Sequence, residues 1–452
     1  MVIKMEKFFR SIALFLIVPF VLSGCNSLPS NTENQGTDIQ TETALPADAN
    51  ENTSAVASEE QITLTFSYWG DKNELACKEE LIKDFEAAHP NIKIEATYTD
   101  GVTYHTKLQT FFTSQTAPDV ISIAGDIMYD FVEEGVFEDL TPYIERDRAS
   151  EKWVDGSLNI FTKNGKIYAA PYVSKVFAMA YNKDIFDAAG LAYPTESWTE
   201  EDFVNIAWQL TEGEGVNKIY GTKLTDGAKM IRDLYGQMPL YDVDNKKMQA
   251  EGNEYFRHAF SLYTDLVIGG CSPSELETDS IGGGFETGKF ATAICATWDM
   301  NSWEKLIGDS FEWDIVQLPS NTVYGSWTYP SYTDGMAISS TSEHKEAAWE
   351  FIKWNTLSEE SQKKVSEIGV PVLKSYVESE SYLNDFPDSY AVKYNKKAFV
   401  DMMDRVAGQE SLGIWAKIND ELTKQYNAVS LSQTTIDDAS AVLQEKGESV
   451  LK

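Results

Sequence analysis

The feature that most constrains this chain is a change of period that repeats from Gln61 onward. Ile62, Leu64, Phe66 and Tyr68 alternate as in a strand, and Trp69-Gly70-Asp71 makes a turn. Leu81, Ile82, Phe85 and Ala88 then share one helical face, and Pro90 ends that helix after His89. A second alternating strand runs from Ile92 to Tyr98. A helical stretch through Tyr104, Leu108, Phe111 and Phe112 leads to the short apolar strand Val120-Ile121-Ser122-Ile123. This β-α-β-α-β order predicts an α/β lobe with a mostly parallel sheet, whose ligands sit beyond the carboxyl ends of the strands. Asp71 and Asp126 fall at such ends, although an Asp beside a Gly serves a plain turn equally well.

The N-terminus sets the expected compartment. Lys4, Lys7 and Arg10 precede an apolar run from Ile12 to Leu22, too short to span a bilayer and of the length of a signal-peptide core. It ends in Leu22-Ser23-Gly24-Cys25, which resembles the bacterial lipobox and implies a leader over residues 1–24 with Cys25 acylated as the new N-terminus. Between Cys25 and Gln61, residues 26–60 are rich in Asn, Thr, Ser, Ala and acid, without aromatic, Lys or Arg residues, a composition that cannot build a core. Such a linker has a root-mean-square span of about 30–35 Å, enough to hold a folded part away from a membrane. Acylation of Cys25 leaves the thiols of Cys77, Cys271 and Cys295, an odd number, so at least one is expected to be free and buried.

The chain has 452 residues, with Lys+Arg 37 against Asp+Glu 71 and a net charge of -34. That charge repels nucleic-acid phosphates and anionic lipid heads, so nucleic acid is not an expected partner. No Cys/His spacing suits a metal, and none is expected. Gly283 to Lys289 begins like a phosphate-binding loop, but Phe290 stands where the magnesium-binding hydroxyl must be. There is no G-x-S-x-G and no G-x-G-x-x-G.

Further along, Gly165-Lys166-Ile167-Tyr168-Ala169-Ala170-Pro171-Tyr172 is followed by Tyr181-Asn182-Lys183-Asp184-Ile185-Phe186, Ala189-Gly190-Leu191, Pro194 and Trp198-Thr199-Glu200-Glu201. Then come Phe285-Glu286-Thr287-Gly288-Lys289-Phe290-Ala291 with Trp298, Ala347-Ala348-Trp349-Glu350-Phe351-Ile352, and Gly369-Val370-Pro371. In this order the motifs resemble family 1 extracellular solute-binding proteins of bacterial ABC sugar importers, the group similar to maltose-binding protein. Ala296-Thr297-Trp298 and Thr333-Asp334-Gly335 depart from glycine-containing steps common in that family.

The resemblance implies an α/β, two-lobed periplasmic-binding-protein-like fold of the class II type, each lobe a mainly parallel sheet flanked by helices, with ligand in the cleft between them. The expected N-terminal lobe is 61–172 with 336–374, and the C-terminal lobe 173–335 with 375–452, with crossovers near Tyr172, Gly335 and Lys374. It implies an extracytoplasmic, membrane-anchored monomer that captures a carbohydrate for the transmembrane permease subunits of a transporter, with no enzyme chemistry and no cofactor. A sugar site wants aromatic plates with carboxylates at the rim. Asp71 and Asp126 are the expected rim of the first lobe, and Trp298 and Trp415 the plates of the second. Tyr172, Lys175 and Asp334 lie along or near the crossovers, and Trp69, Trp327 and Tyr329 are further candidates. Two other readings stay open: a surface glycoside hydrolase with two carboxylates across the cleft, and a binding protein for a cation such as a polyamine, which an inward Lys175 would disfavour.

Overall fold

Strand β1 (Ile62–Trp69) buries Leu64, Phe66 and Tyr68, as its alternation requires. Helix α1 (Lys72–Ala88) starts at a reciprocal cap, with Asp71 as N-cap and Glu74 reaching back, and ends at His89, whose φ of -128° and ψ of 70° obey the following proline. Strand β2 (Ile92–Thr99), helix α2 (Gly101–Ser114) and the buried strand β3 (Val120–Ala124) complete the predicted alternation, and helix α3 (Gly125–Val132) follows directly. This computed structural model describes residues 61–450 except 225–226, 237–239, 243–246, 331–332, 387–392 and 408–414. The leader, Cys25 and the linker therefore lie outside the described residues.

The remaining strands of the two main sheets and the helices used below follow in chain order. They are β4 (Ala170–Ser174), β5 (Phe177–Asn182), α4 (Glu200–Gln209), β6 (Tyr220–Lys223), α5 (Glu254–Ile268), β7 (Phe290–Ala296) and β8 (Trp313–Val316). After them come β9 (Asp334–Ile338), α6 (Lys345–Leu357), α7 (Glu359–Val365), β10 (Val370–Pro371) and α8 (Trp415–Ser430). The first sheet has the order β10-β4-β9-β3-β1-β2 and the second β8-β5-β7-β6.

Both sheets are mixed rather than mainly parallel. In the first, β1 runs parallel to β2 and β3, whereas β9 is antiparallel to β3 and β4, and β10 is antiparallel to β4. The cause is the route of the chain. It leaves the first lobe at the carboxyl end of β4, and β9 and β10 both begin at that same edge, so they must run the other way. In the second sheet β7 pairs in parallel with β6 and antiparallel with β5. The first sheet also keeps Val173, Ser174, Asp334 and Gly335, two residues beyond the expected borders on each crossover.

Helices cover both faces of the first sheet. Leu81 and Phe85 of α1 pack with Trp349 and Phe351 of α6 on one face, and Leu108 and Phe112 of α2 with Phe131 of α3 on the other. The second lobe has its own core, which includes Phe203, Phe260, Trp313 and Trp327. Cys77, Cys271 and Cys295 are all free and buried. Burial, helped by Glu367, pushes the Cys77 thiol up to about 12, so it is an inert packing group. Among the described residues no helix is long and apolar enough to cross a membrane.

Candidate functional site

The two sheets meet where β4 passes into β5 through Lys175 and Val176 alone. The carboxyl ends of β1, β3 and β4 and the start of β9 lie on this side of the first lobe, with Asp334 in register with Ala124. Helices α1 and α3 begin at the same edge, directly after β1 and β3. In a sheet of this type that edge is where a ligand is received.

The turn after β1 is closely held. Trp69 O accepts from Lys78 Nζ at 2.9 Å, Gly70 O from Tyr98 Oη at 3.0 Å, and Asp71 N donates to Glu74 Oε2 at 2.9 Å. Asp71 Oδ1 accepts from the amides of Asn73 and Glu74, at 2.8 and 2.9 Å, so this oxygen serves the cap while the residue remains exposed. Trp69 is half-buried, with its ring 4.8 Å from that of Tyr104. Asp126 is the second residue of α3, and its side chain lies outside the description. Asp334 is buried at the first position of β9.

From the second lobe, Trp298 occupies a single 3-10 turn directly after β7 and is 43% exposed. Its ring stands edge-on to Phe177 at the start of β5, 5.3 Å away at 89°. The turn is fixed by Ala296 N donating to Asp299 Oδ2 at 2.8 Å and Thr297 N donating to Val176 O at 3.0 Å. An aromatic plate thus stands beside the crossover, braced from one edge. Trp415 opens α8, and its side chain lies outside the description.

Three expected candidates are packing residues here. Trp327 is fully buried in the second-lobe core, and its indole donates to Glu200 Oε2 at 2.7 Å. Tyr329 is also buried, with its ring 5.5 Å from Phe177, which braces Trp298. Tyr172 lies in the first-lobe core, 5.7 Å under the Lys78 ammonium. None of the three rings is open to a ligand. Lys175 is buried too: it pairs with Glu74 and donates to Ile368 O at 2.9 Å.

Sequence reasoning missed Glu74, Lys78, Tyr98 and Phe177. The Asp71-x-x-Glu74 spacing is a readable capping box, and Lys78 stands one helical turn beyond Glu74. Nothing local marks Phe177. Burial pushes the Glu74 carboxyl up, but the charges of Lys175 and Lys78 outweigh it and leave the group below the usual carboxylate range. Burial lowers the Lys78 ammonium despite the facing carboxylates of Asp334 and Glu74. Among the described residues no His, Cys, Asp or Glu cluster is arranged to hold a metal ion.

Two α/β lobes joined by a two-residue crossover, with an exposed aromatic plate on the second-lobe side of it and a carboxylate-bearing strand edge on the first-lobe side, have the architecture of a two-lobed binding protein. The chain belongs to the bacterial extracellular solute-binding protein family, whose sequence profile matches residues 71–362. Among its relatives is the multiple sugar-binding protein of Streptococcus mutans, 24% identical over 359 residues, 73% of this chain and 79% of that one. Among solved structures it resembles an ABC substrate-binding protein of Listeria monocytogenes in complex with cycloalternan, with a TM-score of 0.71 and 22% identity over 86% of this chain and 99% of that one. It likewise resembles the sugar-binding protein MalE of Xanthomonas citri, with a TM-score of 0.74 and 21% identity over 86% and 97%. All three are described as substrate- or sugar-binding proteins.

Proposed function

We propose that this chain is a lipid-anchored, extracytoplasmic binding protein that captures a carbohydrate, an oligosaccharide in the first instance, and delivers it to the permease subunits of an ABC transporter. The observation that carries this reading is Trp298: a half-exposed indole, braced edge-on by Phe177, beside the crossover whose first-lobe side is the strand edge bearing Asp71, Asp126 and Asp334. Sugar rings present C–H faces that lie on such a plate and edge hydroxyls that donate to carboxylates. Trp69 and Trp415 are proposed as further plates. Relatives named for sugar binding support the same ligand class. Closing the two lobes over the sugar would bury it and present a surface that the permease distinguishes from the open form.

Thermal unfolding of the fragment from Gln61 against a panel of mono- and oligosaccharides, with spermidine included, is the direct test. A binding sugar raises the melting temperature by an amount that grows with the logarithm of ligand excess over Kd. The same sugar should make the particle more compact in small-angle scattering and be recovered intact after incubation. Stabilisation by spermidine alone would replace sugar with a cation, and cleavage of the sugar would return the hydrolase reading. The anchor has its own test. Cys25→Ala should abolish acyl labelling and leave the protein unprocessed by the lipoprotein route, whereas normal labelling of that variant would rule the anchor out.

A further inference from the structure

The turn Trp69–Gly70–Asp71 is held at every residue by a group outside it, and two of those groups, Lys78 and Glu74, are neighbours on α1. The packing leaves no slack: a Cβ at Gly70 would stand 2.5 Å from Glu74 Cβ. Lys78 is 4% exposed, and its ammonium is ringed by Tyr68, Trp69 and Tyr172 at 5.6, 5.1 and 5.7 Å. Glu74 uses one carboxylate oxygen on the turn, through Asp71 N, and the other on Lys175 Nζ. Lys175 is the first residue of the two-residue crossover between the lobes. Its ammonium also reaches Ile368 O, two residues before β10, where the chain meets the same edge again.

One carboxylate therefore joins the turn at the carboxyl end of β1 to the two-residue crossover between the lobes. Buried ions cost several kcal/mol each in desolvation, and apolar residues of similar size would stabilise the core more cheaply. The cost has a reason if the charges fix a geometry. We infer that Glu74, Lys78 and Lys175 are positioning residues, which hold the Trp69–Gly70–Asp71 turn in the shape that receives ligand and tie that shape to the interlobe crossover. This rests on the reading of the cleft as the ligand site, and it predicts that loosening the crossover end of the tie loosens the turn at its other end.

The test is hydrogen exchange across 69–75 in the unliganded protein, with calorimetric titration of maltotriose, for wild type, Glu74→Gln, Lys175→Met and Lys175→Arg. Glutamine keeps an oxygen for Asp71 N and removes the charge, and methionine keeps much of the volume of lysine. Lys175→Met and Glu74→Gln should each speed exchange at 70–74 by about tenfold, with the rest of the first lobe unchanged. Where wild type binds maltotriose, they should weaken it at least about fivefold, and Lys175→Arg should restore most of both effects. Lys353→Met, which breaks a partly exposed pair with Glu350, should change neither. Wild-type exchange at 70–74 in Lys175→Met and Glu74→Gln, or a loss of protection spread evenly over the lobe, would overturn the tie. If wild type binds neither maltotriose nor any other sugar, the ligand reading fails while the exchange result still decides the tie.

Discussion

Glu200→Ala should lower the stability of the folded chain by about 3 kcal/mol, the largest single effect expected outside the hydrophobic cores. Glu200 is 5% exposed at the first position of α4, and it gathers four segments of the second lobe. Its oxygens accept from Trp327 Nε1 at 2.7 Å and Asn321 Nδ2 at 2.9 Å, are bonded to His258 Nε2 at 2.7 Å, and accept from Tyr235 Oη. Removing the carboxylate leaves two buried donors, Trp327 Nε1 and Tyr235 Oη, without this partner, each a desolvation penalty that water does not relieve, while the partly exposed His258 and Asn321 can turn to solvent. Burial pushes the carboxyl up, but the hydrogen bonds from His258, Tyr235 and Trp327 outweigh it and hold the group below its ordinary range. A depressed carboxylate contributes stability that is full above the ordinary glutamate range and is lost as pH falls through the lower folded value. The melting-temperature gap between wild type and Glu200→Gln should therefore be widest near neutral pH and narrow below about pH 4. A gap that stays constant from pH 7 to pH 3 would show that charge at this site contributes nothing.

The first lobe was legible because its signals are local. Alternation from Ile62, the helical face of Leu81 and Phe85, and the stop at Pro90 each act within a few residues, and β1, α1, β2 and β3 stand where they point. Strand direction was not legible. Whether β9 runs with or against β3 depends on the edge at which the chain re-enters, which is set by a path through the whole second lobe. The tryptophans show the same limit. Trp298 and Trp327 stand in similar company, beside Thr and small or aromatic residues. What separates them is Glu200, 127 residues from Trp327 in sequence, which gives that indole N–H a buried acceptor. Lys175 was a candidate ligand residue because it lies on a crossover. Its partner is Glu74, 101 residues away, so the ammonium is committed within the protein. The capping box at Asp71 was readable and would have drawn attention to Glu74; the second use of that carboxylate was not.

Trp298→Ala should weaken binding of the sugar found by the stability screen by about 1 to 3 kcal/mol, roughly 5- to 150-fold, while the unliganded protein stays folded with only a modest fall in melting temperature. The two halves of this expectation have separate causes. Affinity falls because a plate that covers a sugar face is lost, and stability falls less than it would for a core tryptophan because 43% of the side chain is exposed in the unliganded protein. Phe177 remains to line the floor, since it is fully buried against Tyr329 whether or not the indole is present. Trp298→Phe keeps a smaller plate and should fall between alanine and wild type. Trp208, 50% exposed on α4 of the same lobe, is the matched control, and Trp208→Ala should leave calorimetric affinity unchanged. The discriminating result is the pattern across the three variants. Unchanged affinity in Trp298→Ala would detach the indole from the site. An equal loss in Trp208→Ala would mean that the second lobe responds to any exposed tryptophan through its fold rather than through contact with sugar.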